Sequence, residues 1–600
     1  MRILCKIENI FALCTFILLV TLPFTDLLIR EIFRPFFPGL GKIPASQTLV
    51  SHLTLIIGFI GAVIASREHK LLSLSNNDLF NNSNHSFAKY ISKWATLFIV
   101  LLLFIGASDL VMMERSLQNP VFIAPYVPRW IFQLIMPLGF LLILFHLFSN
   151  IIKSVFSFSG IISLLIIILI FIANEDLREL SFILPFGIIL IVFIILNGAP
   201  IFVALAGIGS LLFWYDYVPV SAVIAEAYRI VVSPHLATIP LFTLAGYFLA
   251  ESKASDRLVF VFNNVFGWLP GGTPVIVLLI CGFFTALTGG SGVTILALGG
   301  LLFPMLIKDG YNKKFSLGLM TASGSIGLLF PPSLPLILYG VTAGISIKSI
   351  FIAGILPGIF LIVAMSLYTI YSGELKKIEA KTFNLKNALK SSWKTKWELF
   401  IPIIVLYGIF GGHAKLVETA AFTVVYIFII EVFIYKDIQI KQIPDIFISC
   451  ATLVGGVLII IGAAMGLTSY MVDAQIPMKI LSFMKGLVES KYVFLILLNI
   501  FLLVVGCLMD IFSAIIIVVP LIAPLGTYYG IDPVHLAIIF IANLELGYLT
   551  PPVGMNLFLS AYRFEEKMTF IYKSTLPFFI VLLVAVLIIT YFPQLTLFLL

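Results

Sequence analysis

The feature that most constrains this chain is an internal repeat. When the sequence is offset by 220 residues against itself, glycines and prolines of the two copies coincide without a gap. Because these two residues mark special backbone geometry, their coincidence indicates a duplicated structural unit rather than a chance match of apolar residues. We expect the copies at about residues 183–372 and 403–592. The coinciding pairs are Gly246 with Gly466, Pro304 with Pro524, Gly310 with Gly530, Gly327 with Gly547, and Pro331-Pro332 with Pro551-Pro552.

Both copies are built from apolar stretches of about 20 residues, the length that crosses a bilayer as a helix. Of the 600 residues, 61% are hydrophobic and only 11% are charged, which is too little polar surface for a soluble protein of this size. The five cysteines have unrelated spacings, so they predict neither a metal site nor a disulfide framework. The sequence therefore predicts an all-α polytopic membrane protein, embedded in a lipid bilayer.

The region before the repeat contains further apolar stretches, and basic residues orient them. Spans are predicted near residues 9–28, 45–66, 90–113, 130–149 and 155–174. Arg2 and Lys6 precede the first span, and no small-residue cleavage site follows it, so we expect a retained span with a cytoplasmic N-terminus. The net charge of +7 is interpreted as this topology signal and not as a nucleic-acid-binding surface.

The two copies are predicted to be inverted. If residues 272–306 and 492–525 are hairpins that enter and leave on one side, five crossings lie between them, and an odd number reverses the orientation. The linker 376–399 carries seven lysines on the predicted cytoplasmic side, whereas the exit of the second hairpin at 527–533 carries none. We expect about 15 transmembrane helices plus two re-entrant hairpins, with the C-terminus outside.

Each copy contains two places where a helix is expected to break. One is the hairpin tip, TGGSGV (288–293) in the first copy and CLMDIFSA (507–514) in the second. The other precedes or contains a Pro-Pro pair, SGSIGLLFPPS (323–333) and NLELGYLTPPVG (543–554). Proline removes an amide donor and disfavours helix before it, so carbonyl oxygens there lose their partners. Inverted repeats with interrupted helices are typical of secondary transporters, whose sites lie at the breaks.

Oxygen atoms at these breaks are the candidate cation ligands, since carbonyl, hydroxyl and carboxylate oxygens suit hard cations. Asp510 stands out because an ionisable group inside a span costs about 2.5 to 3.5 kcal/mol to insert. Two structural alternatives stay open: glycines at a tip also permit close packing, and Asp510 could be a satisfied structural carboxylate. The candidates are Gly289, Ser291, Ser323, Gly327 and Phe330 in the first copy, and Asp510, Ser513, Asn543, Gly547 and Thr550 in the second.

An anionic substrate could be held at the same breaks. After residue 200 the only arginines are Arg229, Arg257 and Arg563, none at a break, so helix N-termini, hydroxyls, bound cations or lysine would have to replace a guanidinium. No GxxxxGK[ST] phosphate loop occurs, so we expect an ion gradient as the energy source and no ATPase. The residues expected to contact substrate are Ser291, Ser333, Asp510 and Asn556.

Three segments closely resemble the large membrane subunit of tripartite ATP-independent periplasmic (TRAP) transporters. They are residues 289–340, 506–525 and 546–559, which contain the tips and breaks described above. The resemblance covers about 181–600, while residues 1–150 resemble the small four-span subunit only in layout. The chain is therefore interpreted as a QM-type permease: a small Q-type domain at 1–150, a fusion helix at 151–180 and a large M-type domain at 181–600.

The resemblance implies a fold and a function. It implies an elevator-type transport domain of the ion transporter superfamily kind, in a bacterial inner membrane. It also implies sodium-coupled uptake, with two or more sodium ions, of an organic anion such as a C4-dicarboxylate or sialate from a periplasmic substrate-binding protein. The family's sodium sites carry over to Ser291, Gly327 and Ser333, and to Asp510, Gly547 and Thr550.

Two departures from the family and three alternatives remain. The small part has KIPASQTLVSHLT (42–54) where many relatives have an acidic Trp-Ser-Glu-Glu signature, and Asp473 weakens a sialate assignment. A transporter of the same fold that needs no binding protein is the nearest alternative. A channel is another, although hairpins entering from opposite sides favour alternating access. An intramembrane enzyme could use Asp510 with a histidine, but the histidines lie mostly near span ends.

Overall fold

The computed structural model describes ten stretches of the chain. They are residues 2–34, 36–37, 43–71, 86–124, 127–155, 182–269, 272–372, 384–412, 414–551 and 554–600. The predicted fifth span and most of the predicted fusion helix at 151–180 lie outside the described residues. The described residues divide into two compact units, Met1–Pro240 with Phe447–Ile476, and Leu241–Ile446 with Pro477–Leu600.

The first four predicted spans are present as helices in the first unit. A short antiparallel pair, β1 (Phe122–Ala124) and β2 (Val127–Pro128), lies between the third and fourth spans and was not predicted. The fourth span consists of two consecutive helices, α4 and α5. The helices are α1 (Arg2–Leu28), α2 (Ser46–Arg67), α3 (Ser86–Arg115), α4 (Arg129–Gln133) and α5 (Ile135–Val155).

A buried polar cluster joins three of these helices. The Glu8 carboxylate of α1 accepts a hydrogen bond from Arg67 of α2 at 2.6 Å and lies 2.8 Å from Nε2 of His146 on α5. Arg67 also donates to the side-chain oxygen of Asn9 at 3.0 Å. A buried charge is tolerated when it is paired and hydrogen-bonded, so this cluster fixes the helices relative to one another.

The first unit also contains α6 (Ile183–Leu196), α7 (Ile201–Tyr215), α8 (Ser221–Val231) and most of a long helix, α19 (Ile443–Asp473). Glycine allows α2 and α19 to touch through their backbones: a Cβ atom at Gly61 would lie 2.0 Å from the carbonyl oxygen of Ala451. Small residues at helix contacts permit such close approach in membranes.

The second unit holds the predicted hairpins and breaks. Several of its helices are too short to cross a membrane unbroken. Its helices up to residue 428 are α9 (Thr238–Glu251), α10 (Ala254–Phe266), α11 (Gly272–Thr288), α12 (Ser291–Lys308), α13 (Lys313–Ser323), α14 (Leu334–Ala343), α15 (Ile347–Tyr371), α16 (Leu385–Lys394), α17 (Lys396–Phe410) and α18 (Leu416–Phe428). Those after α19 are α20 (Ile476–Leu487), α21 (Lys491–Leu508), α22 (Ile511–Tyr528), α23 (Pro533–Gly547), α24 (Met555–Phe564), α25 (Met568–Tyr591) and α26 (Gln594–Leu597).

Side-chain caps explain where several of these helices begin. Asn312 accepts a hydrogen bond from the amide of Phe315 at the start of α13, and Asp532 accepts from Val534 and His535 at the start of α23. Glu418 accepts from the amide of Lys415 at 2.8 Å at the start of α18. Such caps satisfy amides that have no partner inside the helix.

Nine helices of the described chain are long and apolar enough to cross a membrane, or ten if the bent pair Lys313–Leu329 and Leu334–Ala343 is one span. The all-α polytopic membrane fold is therefore confirmed. The count of about 15 crossings stays a prediction, because it includes shorter helices and one span outside the described residues. The two helix pairs predicted as hairpins are present, and their re-entry from one membrane face stays a prediction as well.

Candidate functional site

The first hairpin turns at two glycines. α11 ends at Thr288 and α12 begins at Ser291, with Gly289 at a φ of +68° and Gly290 extended. A Cβ atom at Gly289 would lie 2.4 Å from Cγ of Leu334, the first residue of α14. Glycine is required both by the positive φ and by this contact. The tip of the hairpin therefore lies directly against the helix that follows the Pro-Pro break.

The first break is a short 3₁₀ segment between α13 and α14. It spans Ile326–Leu329 and is followed by extended Phe330. A Cβ atom at Gly327 would lie 2.3 Å from the carbonyl oxygen of Gly282 and 2.7 Å from the amide nitrogen of Ala286. Gly327 therefore packs its backbone onto α11, the first helix of the hairpin.

Hydroxyl groups tie the tip and the break together. The Thr285 hydroxyl donates to the carbonyl oxygen of Gly324 at 2.8 Å and lies 2.7 Å from the Thr294 hydroxyl. Gly324 is the residue that follows α13, so both helices of the hairpin are linked to the start of the break. This arrangement holds the first candidate site in a fixed geometry.

Three buried hydroxyl oxygens surround this junction with no hydrogen-bond partner among the described residues. They belong to Thr288, Ser291 and Ser333, and the side chains of Ser291 and Ser333 are 1% and 0% exposed. Buried hydroxyls are normally hydrogen-bonded, so an unpaired group needs a reason. Ser291 is the first residue of α12, and Ser333 directly precedes α14. The N-terminal ends of helices carry a partial positive charge that favours anions. Both hydroxyls therefore lie at a helix N-terminus with hydrogen-bonding capacity that the described residues do not use.

The other predicted residues of the first site contribute differently. The Ser323 hydroxyl is already used, since it donates to the carbonyl oxygen of Met320 at 3.2 Å and lies 3.4 Å from Sγ of Cys281. The carbonyl oxygens of Gly327 and Phe330 each accept one backbone hydrogen bond, from Phe330 and Ser333. Because a carbonyl oxygen has two lone pairs, these two carbonyls keep one for a cation.

The second hairpin turns at Met509 and Asp510. α21 ends at Leu508, and Asp510 is the N-cap of α22. Its carboxylate accepts from the Ser513 amide at 3.0 Å and from the Ser513 hydroxyl at 2.7 Å. Asp510 therefore has a structural role as a helix cap, which agrees with the alternative that it is a structural carboxylate. Each carboxylate oxygen can accept more than one bond, so the cap does not use up its capacity.

In the second break, as in the first, a glycine packs its backbone against the first helix of the hairpin. Gly506 of α21 and Gly547 of α23 touch through their backbones, since a Cβ at Gly547 would lie 2.7 Å from Cα of Gly506. Offset by 220 residues, this is the contact of Gly327 with Ala286. The hydrogen bond between tip and break here involves a tyrosine, since the Ile511 amide donates to the Tyr548 hydroxyl at 2.6 Å.

Thr550 lies in the turn after α23. Its amide donates to the carbonyl oxygen of Gly547 at 2.9 Å and its hydroxyl to that of Leu546 at 3.1 Å. Asn543, expected in the break, lies inside α23, because this helix continues to Gly547. Its amide donates to Ile539 of the same helix, while the buried side-chain oxygen has no partner among the described residues. The predicted start of the second break was therefore five residues too early.

Glu545 connects the two copies. It is buried in α23, its carboxyl group interacts with the backbone of Leu329 in the first break, and its Oε1 atom has no partner within the described chain. The sequence could not place this residue, because its repeat mate is Ser325. A carboxylate inside an apolar helix was nevertheless a signal for a functional position.

Asn556 of α24 contacts a helix of the first copy. Its side-chain nitrogen donates to the carbonyl oxygen of Thr321 on α13 at 3.4 Å, and its buried oxygen has no partner among the described residues. The Thr321 hydroxyl also donates to that of Ser560 at 2.9 Å. α24 and α13 are thus joined by polar contacts, and the oxygen of Asn556 remains available to a ligand.

One charged cluster of the second unit was not predicted from the sequence. Arg257 of α10 forms ion pairs with Glu398 of α17, with Glu431 and with Asp437, and both glutamates are fully buried. The guanidinium also stacks on the ring of Tyr435, with its carbon 3.8 Å from the ring centroid. Charged residues inside otherwise apolar helices were the signal that could have found it. The cluster fixes α10, which leads into the first hairpin.

Family models match both parts of the chain. The model described as tripartite ATP-independent periplasmic transporter, DctM component, matches residues 188–595, and that of the DctQ component matches residues 19–157. The DctM match covers more than half of the chain and contains every candidate site residue.

Curated relatives agree with these matches. The isethionate TRAP transporter permease protein DctMQ of Oleidesulfovibrio alaskensis is 34% identical over 63% of this chain and 60% of its own length. C4-dicarboxylate TRAP transporter large permease proteins DctM are 32% identical in Pseudomonas aeruginosa, over 60% of this chain and 85% of the relative, and 30% identical in Vibrio cholerae, over 68% and 94%. These relatives are transport permeases and not enzymes. The chain belongs to the TRAP transporter permeases and carries the DctQ and DctM components in one polypeptide.

Proposed function

We propose that this protein imports an organic anion across a bacterial inner membrane in symport with sodium. The observation that carries the proposal is the pairing of each hairpin tip with a helix break in the same unit, seen as Gly289 against Leu334 and as Ile511 against Tyr548. Paired tips and breaks related by an internal repeat are the form in which secondary transporters build their ion and substrate sites.

The cation sites are proposed where oxygen atoms remain available at each pair. In the first copy these are the carbonyls of Gly289, Gly327 and Phe330 with the hydroxyl of Ser291, which carry no net charge. In the second copy Asp510 adds a carboxylate to the oxygens of Gly547 and Thr550. The two sites should therefore differ in sodium affinity, with the second site tighter.

The substrate is proposed to lie at the first junction. Two helices start there, α12 at Ser291 and α14 after Ser333, and a positive helix end next to an unpaired hydroxyl can hold a carboxylate or sulfonate. The names of relatives that transport isethionate, C4-dicarboxylates and ectoine support the proposal of a small polar solute with an acidic group. The family is tripartite, so we infer delivery by a periplasmic substrate-binding protein.

Movement is proposed to be of the elevator kind. Such a mechanism requires a compact body that carries the site and a second body against which it moves. Division of the described residues into two compact units, with both tip and break pairs in the second, supports this.

Uptake in proteoliposomes tests the proposal. Purified protein is reconstituted, and accumulation of a labelled solute is measured with its binding protein, with and without an inward sodium gradient. We expect uptake only when both are present. Sodium-dependent uptake without the binding protein would favour the alternative of a binding-protein-independent transporter, and uptake without sodium would contradict the coupling.

A further inference from the structure

The helix α16, Leu385–Lys394, has three different faces. Ala388 and Ser391 are buried where α16 packs against α10. An α-helix advances about 100° per residue, so residues four apart share a face. Most of the remaining residues are exposed, and among them the large apolar residues form one row and the lysines form another.

The apolar row consists of Leu385, Leu389 and Trp393. Their side chains are 61%, 62% and 72% exposed, which is unusual for large apolar residues on a polar helix. Thr395 alone separates α16 from α17, whose Phe400 and Ile403 are also exposed. The sequence predicts one of the five crossings between the hairpins at about 397–412, which corresponds to α17. We therefore expect the apolar row to lead directly into a surface that faces lipid.

The basic row consists of Lys386, Lys390 and Lys394, all exposed and none in an ion pair within the described chain. The ammonium group of Lys396 lies 4.1 Å from the ring centroid of Trp393 and 5.0 Å from that of Trp397. Tryptophan is enriched at the level of lipid headgroups, and its ring attracts a nearby cation. Positive charge therefore lies beside the apolar row along the whole helix.

We propose that α16 lies in the membrane surface and binds anionic phospholipid headgroups, with its apolar row among the upper acyl chains. A short amphipathic helix with a separate lysine row has the pattern of interfacial helices, which are attracted to anionic lipids. The C-terminal end of α16 is held in place, because the Tyr435 hydroxyl donates to the carbonyl oxygen of Lys394 at 2.9 Å. The partner is thus the negatively charged leaflet, and the binding site is independent of the transported solute.

Fluorescence of Trp393 tests this site locally. The protein is reconstituted in phosphatidylcholine vesicles with a minor fraction of brominated phosphatidylglycerol or brominated phosphatidylcholine, and Trp393→Phe in each background isolates the signal of this tryptophan. Brominated phosphatidylglycerol should quench Trp393 at least about fivefold more effectively, since one lysine near an anionic surface gives an effect of this size. The triple variant K386Q/K390Q/K394Q should abolish the difference, and the arginine triple variant should keep it.

A matched control removes the same charge elsewhere. Lys441, Lys479 and Lys567 are exposed on other elements, so K441Q/K479Q/K567Q should retain the preference for phosphatidylglycerol. Equal quenching by both lipids in the unmodified protein would overturn the proposal, as would loss of the preference in the control. Absence of quenching by either lipid would also overturn it, because a protein partner or second copy would then cover the apolar row.

Discussion

The hydroxyl of Thr285 donates a hydrogen bond to the carbonyl oxygen of Gly324 across 2.8 Å. This bond leaves Thr294, 2.7 Å away, to donate to Thr285. The carbonyl oxygen is thereby satisfied at a point where α13 has just ended, and both hairpin helices are held to the break. The first candidate site depends on this relationship.

Thr285→Val should weaken sodium-dependent uptake. The substitution preserves shape but leaves the Gly324 carbonyl without this donor, and an unsatisfied buried group costs about 1 to 3 kcal/mol. Uptake at subsaturating sodium should fall by about tenfold or more, whereas Thr285→Ser should stay near the unmodified level. Equal uptake by the valine and serine variants would show that this bond does not support the site.

Gly327→Ala and Gly547→Ala should each impair transport. At both positions an added Cβ would lie within 2.7 Å of backbone atoms, which a backbone shift alone can relieve. Overpacking of this kind costs about 1 to 3 kcal/mol. Gly486→Ala is the control, because nothing lies within 4 Å of a Cβ there. Thermal unfolding and uptake are measured together. Loss of uptake in the control would contradict the explanation that close backbone contact at Gly327 and Gly547 is what transport requires.

Ser291→Ala and Ser333→Ala should separate stability from activity. Since neither hydroxyl has a partner within the described chain, its removal should leave the unfolding temperature unchanged or slightly raised. A lost ligand contact should raise the substrate or sodium concentration for half-maximal uptake by about tenfold, using a charge-assisted bond of about 1.5 kcal/mol. Reduced stability with unchanged half-maximal concentrations would identify both serines as structural.

Arg257→Leu should destabilise the protein strongly. Removing the guanidinium leaves Glu398 and Glu431 buried without their partner, and breaking a buried ion pair in this way costs about 3 to 5 kcal/mol. Arg229→Leu is the control: its side chain is 69% exposed and pairs with Glu226, three residues earlier, so the cost should stay below about 1 kcal/mol. Similar unfolding temperatures for the two variants would contradict a structural role of the cluster.

The sequence predicted the parts of the fold that depend on local backbone chemistry. Glycine at 289 and the Pro-Pro pairs carry their conformation with them, so tips and breaks could be located without tertiary information. The end of α23 could not, because Asn543 and Glu545 are compatible with either a helix or a break, and packing on α21 decides. The pairing of Arg257 with its three carboxylates could not be predicted either, since these residues are up to 180 positions apart, although their charge inside apolar helices was a signal.

The glycine contacts shared by the two copies could be predicted from the sequence, whereas the hydrogen bonds between tip and break could not. An offset of 220 residues pairs Gly327 with Gly547, and both glycines do contact their hairpins. The polar ties are not repeated, because Thr285 corresponds to Val505 and Leu328 to Tyr548. When the two copies use different side chains for the same purpose, the sequence shows no repeated pattern. The hydrogen bonds of Thr285 and Tyr548 therefore became visible only in the structure.

Asp510→Asn tests the central claim most directly. Asparagine caps a helix about as well as aspartate, so the bond from the Ser513 amide should survive while the charge is lost. The sodium dependence of uptake is measured in proteoliposomes for the unmodified protein and for this variant, with thermal unfolding as the check on folding. The account predicts a folded variant whose uptake is abolished or needs at least about tenfold more sodium. A folded variant with unmodified sodium dependence would show that Asp510 is only a helix cap and would contradict the second sodium site.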